Sequence, residues 1–518
     1  MPDRRSPSAD TSDASAWRDR ILERVERVGN ALPDPVTLFV IFIGMVMLSS
    51  VIVSWAGVAV THPGTGETIT ANNLFSRENI QRLFVEMPET FALFPPLGMV
   101  LLVMLGIGVA DKSGLISAAL SSFVSSVPRS LLTAAVIFAG IMSSLAVDAG
   151  YVVVIPLGAV LFYGVGRHPL AGLAAAFAGV SAGFSANLLL TSLDPLLAGF
   201  TTPAAQMIDP AYEVPVTANY YLMIVLTPVF MFVGWAITEF VVEPYLGKFS
   251  PAEDLEIEKQ QELTAQEGKG LRVAGLVVLV TLIGIAFLVV PQNAPLRGAA
   301  GDLGPFYSSI VALMFVAFLL PGIAFGIVTG TIKSDRDVAK MAASSMSDLG
   351  IYIVLAFAAA HFIALFNWSN LGSIVAISGA DVLQRIGFTG VPLIVAFVVV
   401  SSVINMFVGS ASAKWAIMAP IFVPMLMLLG YSPETTQAAY RVGDSFTNVL
   451  TPLLPYFPLV IVFAQRYDRT AGIGSIISVM LPYSIAFGIA SILVLVIWIL
   501  IGLPLGPGAP LEYVVPGR

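Results

Sequence analysis

Five charged side chains stand inside otherwise apolar stretches of this 518-residue sequence: Asp148, Asp194, Lys414, Arg441 and Asp444. A charge within a membrane-spanning segment is costly and by default marks function. Arg441 and Asp444 stand at i and i+3, which puts them on one helix face, and Asn448 and Pro452 continue that face at successive four-residue steps. Arg441 there offers a planar, bidentate donor to a carboxylate. Asp444, with oxygens from Asn405 and Asn448, suits a sodium ion or a transferable proton. The plainer reading is an Arg441–Asp444 pair that neutralises itself and fixes helix packing. Asp148 and Asp194 are acidic counterparts earlier in the chain, either of them a second ion or proton site; Asp148 reads equally well as a turn residue at a hairpin tip. Trp415 offers a face to an aromatic ligand, or plain packing. Lys414 beside Ser410 and Ser412 has the residue types of a Ser–Lys hydrolase, but sequence adjacency does not establish base-to-hydroxyl geometry.

The elements that must position these groups are membrane helices. Hydrophobic residues make up 57% of the chain and charged ones only 11%, less than half of what a soluble domain carries; the mean hydropathy is +0.88. With roughly 20 apolar residues per crossing, the chain has room for about ten spans. Cysteine is absent, and the three histidines (His62, His168, His361) are far apart, so disulfides, thiolate chemistry and a zinc-type site are excluded. A net charge of −8 argues against nucleic acid as a partner.

The basic, polar residues 1–34 read as a cytoplasmic N-terminal tail rather than a signal peptide. Lys and Arg in short loops place the stretches 246–270, 329–349 and 466–469 on the cytoplasmic side and the loop 58–90 outside. The polar stretch 246–270 divides a first transmembrane half (35–245) from a second (271–502), with a C-terminal tail over 503–518.

The two halves match at an offset of 264 residues, which aligns Pro156 with Pro420, Gly166 with Gly430, Pro169 with Pro433, Gly179 with Gly443 and Tyr151 with Trp415. Weak internal repeats with interrupted helices are a mark of secondary transporters. The interruptions Ser143–Tyr151 and Gly409–Trp415 read as tips of re-entrant hairpins over 128–165 and 392–429. Each is followed by a segment with polar residues at its middle, 174–195 and 438–455, which reads as a span unwound near the bilayer centre. Broken helices of this kind expose carbonyls to a cation and helix N-termini to an anion.

The stretch GSASAKWAIMAPIFVPMLMLLGYSPETTQAAYRVGDSFTNVLTPLLPY (409–456), with SSLAVDAGYVVVIPLGA (143–159), resembles the p-aminobenzoyl-glutamate transporter (AbgT) family, and the resemblance runs over essentially all the chain beyond residue 30. It implies an all-α integral membrane protein with an inverted repeat, about nine transmembrane helices and two re-entrant hairpins per subunit, assembled as a homodimer in the bacterial inner membrane. It implies transport of p-aminobenzoyl-glutamate, p-aminobenzoate-like compounds or sulfonamide drugs. Carried over by motif, it implies substrate-site roles for Trp415, Pro433, Arg441 and Pro452, with Ser412 nearby. Asn405 and Asp444 take ion-site roles as the sodium ligands, and Asp194 stands where the family has a functional acid. No cofactor is expected beyond a coupling sodium ion or proton. The competing readings are a sodium-coupled dicarboxylate carrier, a passive channel and an intramembrane hydrolase built on Lys414.

Overall fold

The computed structural model describes residues 35–61, 66–145, 150–249, 263–299, 301–451 and 453–514. The basic tail 1–34, most of the polar connector (250–262), the tip of the first hairpin with Asp148, and Pro452 lie outside the described residues. In chain order the longer helices are α1 (Pro35–Trp55), α2 (Arg77–Ala92), α3 (Pro95–Lys112), α4 (Leu115–Ser126), α5 (Leu132–Met142), α6 (Ile155–Gly164), α7 (Pro169–Phe177), α8 (Leu193–Ala205) and α9 (Tyr220–Ile237). After the connector come α10 (Ala265–Val289), α11 (Ile310–Thr329), α12 (Asp335–Asp348), α13 (Gly350–Trp368), α14 (Leu371–Arg385), α15 (Val391–Asn405), α16 (Ala411–Leu428), α17 (Pro433–Ser445), α18 (Phe457–Gln465) and α19 (Ile473–Ile501). One two-stranded ribbon, Ala59–Thr61 with Thr68–Thr70, is present among the described residues.

Among the described residues, eight helical stretches are long and apolar enough to cross a membrane, and α4 with the segment 129–145, bent by 117°, raises the number to nine. The chain is therefore an all-α multi-pass membrane protein. The loop expected over 58–90 is only half a loop: Ser76 caps α2 by accepting from the Asn79 N–H at 3.3 Å, and α2 leads almost directly into α3. The connector is also shorter than 246–270. Thr264 and Glu267 form a reciprocal capping box that starts α10 at Ala265. Along α10 only Gly270 and Ala274 are buried, so this apolar helix faces outward.

The repeat has a local physical basis. Gly166 and Gly430 both adopt positive φ (+79° and +93°) and turn the chain after the second arm of each hairpin, α6 and α16. Pro169 and Pro433 then open α7 and α17, where the missing N–H costs nothing. The aligned glycines let the turn after α7 and the helix α17 press on the first hairpin arm of their halves. A Cβ at Gly179 would sit 2.4 Å from the Ile137 carbonyl oxygen, and one at Gly443 would sit 2.5 Å from that of Val398. After α7 the backbone passes through a π-helical turn (Ala178–Ala182) and then loses helical form until α8; after α17 it is irregular until α18.

The residues after α19, read from sequence as a tail, fold back on the start of α17. The Ser432 N–H donates to the Leu511 carbonyl at 3.0 Å and the Tyr513 N–H to the Gly430 carbonyl at 2.9 Å.

Candidate transport site

Every residue of α17 is buried, although the helix carries Glu434, Gln437, Arg441 and Asp444. Buried charge requires partners, and those partners come from other elements. Arg441 Nη1 donates to Asp194 Oδ1 at 2.5 Å, at the start of α8 in the other half. The second oxygen of Asp194 accepts from the Thr191 N–H at 2.6 Å and the Thr191 hydroxyl at 3.0 Å. The self-neutralising Arg441–Asp444 pair is thus not formed. The expected continuous face also stops short: α17 ends at Ser445, and Asn448 stands on the irregular stretch beyond it. Arg441 keeps two buried donors, Nε and Nη2, that have no hydrogen-bond partner among the described residues.

Asp444 pairs instead with Lys414, one turn into α16, and both side chains are almost fully buried. The Lys414 ammonium also donates to Asn405 Oδ1, at the C-terminal end of α15. The Asn405 amide nitrogen faces three oxygens: the Asp444 carbonyl at 2.6 Å, Thr447 Oγ1 at 2.7 Å and Asn448 Oδ1 at 2.8 Å. Asn405, Asp444 and Asn448 are therefore neighbours. This arrangement removes the basis of the Ser–Lys hydrolase reading, because the Lys414 amine is committed to a carboxylate and an amide. Ser410 and Ser412 bond to each other at 3.1 Å.

Trp415 stacks on Tyr440, their ring centroids 4.5 Å apart. Its indole N–H donates to the Thr201 hydroxyl on α8 at 2.9 Å. The Tyr440 hydroxyl donates to the Ala411 carbonyl at 2.5 Å and lies 3.3 Å from Asp444 Oδ1. Tyr440 is a residue that sequence reasoning missed, although it stands next to Arg441 in the matched segment. Its repeat counterpart in position is not an aromatic, and only the fold puts it against Trp415. Tyr151, aligned with Trp415 by the repeat, stacks on Tyr456 with centroids 4.2 Å apart and bonds to Ser181 at 2.7 Å.

A cavity of about 600 Å³ leads to this cluster, with Tyr151, Tyr456, Ser410, Ser412 and Asn448 among its lining. Ser192 and Leu193 also line it, so the Arg441–Asp194 pair lies directly behind its wall. Lys112 and Asp348, at the ends of α3 and α12, line the cavity as well and form an ion pair at 2.8 Å. Pro433 stands apart from this centre: it opens α17 two turns, about 12 Å, before Arg441. Asp148 and Pro452 fall outside the described residues.

A buried Arg–Asp pair between the halves and a cavity beside it are the features a candidate transport site offers. The AbgT putative transporter family model matches residues 20–513. The chain belongs to that family. It is 39% identical over 498 residues to the p-aminobenzoyl-glutamate transport protein of Escherichia coli strain K12, covering 96% of this chain and 97% of that protein. The solved structure of the Alcanivorax borkumensis YdaH transporter, described as having an unusual topology, superposes with a TM-score of 0.88 at 44% identity, over 92% of this chain and all of that one. Neisseria gonorrhoeae MtrF, described as illuminating a class of antimetabolite efflux pumps, superposes with a TM-score of 0.89 at 45% identity, over 95% of this chain and all of that one. Family membership makes the chain a transporter, not an enzyme.

Proposed function

We infer that this AbgT-family protein is an ion-coupled secondary transporter of p-aminobenzoyl-glutamate and p-aminobenzoate-like aromatic carboxylates, with sulfonamide drugs in its range, in the bacterial inner membrane. The observation that carries the reading is the buried Arg441 guanidinium with two unpartnered donors, on the helix turn next to the stacked Trp415–Tyr440 pair. A carboxylate on an aromatic ring needs one planar donor and one aromatic face. The names of the relatives supply the substrate class.

The coupling-ion site of this proposal is the cluster of Asn405 and Asp444 with Asn448, whose oxygens are the hard donors that sodium takes. A sodium ion or a proton serves as the coupling ion, with Asp194 and Asp148 as secondary candidates. The N-terminus is cytoplasmic, and α12, whose Asp348 pairs with Lys112 at the cavity, lies on the cytoplasmic side. A homodimer fits the bare outward face of α10, which needs lipid or a second copy against it.

The experiment is uptake of p-aminobenzoyl-glutamate and of a sulfonamide by proteoliposomes, with sodium and pH gradients imposed separately. Gradient-driven accumulation that Asp444→Ala abolishes is the expected result. Flux that follows only the substrate's own gradient, unchanged in Asp444→Ala, would make the protein a passive channel. Unchanged affinity in Arg441→Ala would move the carboxylate site elsewhere.

A further inference from the structure

The position of Lys414 carries a consequence for the ion site. Its ammonium contacts two oxygens, Asn405 Oδ1 and Asp444 Oδ1. These belong to the same two side chains that serve as cation ligands in the reading above, on which this inference rests. The Asn405 oxygen is aimed at Lys414 because its nitrogen is held by three acceptors on the other side. The two oxygens therefore form a prepared seat for one positive charge, and a side chain of this protein sits in it.

We propose that Lys414 is a tethered cation that fills the Asn405–Asp444 seat whenever the coupling cation is absent, and that the coupling cation binds by displacing it. The physical need is clear. A carboxylate as buried as Asp444 cannot be left without a counter-charge at reasonable cost. A carrier must nevertheless reorient without its ion to complete a net transport cycle. Lys414 supplies the counter-charge for that step, and its tether ensures that it is not released with the cargo. Two cations cannot share one carboxylate and one amide oxygen, so entry of the ion and departure of the ammonium are one event. Lys414 has somewhere to go: Ser410 and Ser412, on the turn before it, line the cavity together with Asn448, which bonds Asn405.

The same displacement reaches the substrate face. Lys414 and Trp415 share the first turns of α16, and Tyr440 bonds the Ala411 carbonyl at the start of that helix. Moving the ammonium out of its seat loads the turn that holds the Trp415–Tyr440 stack. Ion occupancy and the aromatic pocket are thereby linked through covalent and hydrogen-bonded neighbours rather than over a distance.

The test uses the purified full chain, with thermal unfolding in choline chloride and in increasing sodium chloride. Lys414→Gln is expected to unfold at a lower temperature than wild type in choline, to recover in sodium, and to reach half its recovery at a sodium concentration at least tenfold below wild type. In proteoliposomes the same variant should retain sodium-loaded exchange and lose net transport, because the ion-free return is blocked. An unaltered half-saturating sodium concentration, or no sodium response in Lys414→Gln, overturns the tether. Asp444→Asn separates the two levels. A wild-type sodium response in that variant shows that the seat itself was misassigned, whereas loss of the response with an unaltered Lys414→Gln midpoint defeats the tether alone. A measurement on the unmutated protein guards against a variant that does not fold. Labelling of Lys414 by a water-soluble amine acylating reagent, read by mass spectrometry, should rise severalfold on replacing choline with sodium; constant labelling overturns the proposal.

Discussion

Arg441 and Asp194, 247 residues apart in sequence, are joined by a buried ion pair between α17 and the start of α8. The pair ties a helix of one half to a helix of the other, beside the cavity wall formed by Ser192 and Leu193. Ser185 strengthens the same junction by donating to the Arg441 carbonyl at 2.6 Å. Removing one partner strands the other charge, which typically costs about 3–5 kcal/mol. Asp194→Ala and Arg441→Ala should each lower the melting temperature by several degrees, and Asp194→Ala/Arg441→Ala should cost less than the sum of the singles. Additive losses in thermal unfolding would mean that the pair contributes nothing as a pair.

Arg441→Lys keeps the charge and can keep Asp194, but it lacks the planar fork that leaves two donors free. The expected result is near-normal stability with substrate KM raised at least tenfold in proteoliposome uptake. Equal loss of stability and affinity would indicate a purely structural arginine.

Trp415 has two separable roles, an aromatic face and an indole N–H on Thr201. Trp415→Phe keeps the first and loses the second. It should weaken binding of ring-bearing substrates by less than tenfold, whereas Trp415→Ala should abolish it and cost about 3–5 kcal/mol as a core truncation. Binding measured by equilibrium dialysis checks both. Indifference of affinity to Trp415→Ala would assign the residue to packing.

The repeated glycines should be intolerant in both halves. Gly179→Ala and Gly443→Ala each drive a methyl group into backbone oxygen, with an expected loss of about 1–3 kcal/mol from overpacking. Gly275→Ala, on the outward-facing α10 with nothing within 4 Å, should be neutral or stabilising by up to about 1 kcal/mol. Melting temperatures of the three variants decide this directly.

His168, between the two helices α6 and α7, caps α7 by accepting from the Leu170 N–H through Nδ1 at 3.3 Å. Burial holds its imidazole below the ordinary histidine value, although Glu243 and Asp468 pull the other way. A base whose pKa is lowered in the folded state contributes stability above its unfolded value, 6.5, and loses it as pH falls through the lower folded value. Protonation also ends Nδ1 acceptance. Hydrogen exchange of the first turn of α7 should therefore quicken as pH drops below 6.5, after correction for intrinsic rates, and His168→Asn, a good pH-independent cap, should remove that dependence. A persisting dependence would place its source elsewhere.

What was legible in the sequence is what local chemistry controls. Low charge and long apolar runs required the membrane, and Pro169, Pro433, Gly166 and Gly430 marked the same turns and helix starts in both halves because those residues act through their own backbone. The polar interruption at 409–415 likewise told of a helix break, which the structure places slightly earlier, between the end of α15 at Asn405 and the start of α16 at Ala411, so that Lys414 and Trp415 are helical. The partners of the charges were decided only by tertiary structure. Spacing suggested Arg441 with Asp444, but a buried charge takes whichever counter-charge the fold brings closest, and folding delivered Asp194 to one and Lys414 to the other. The Trp415–Tyr440 stack and the return of the C-terminal residues onto α17 belong to the same class. They are contacts between distant segments, and no local propensity encodes them.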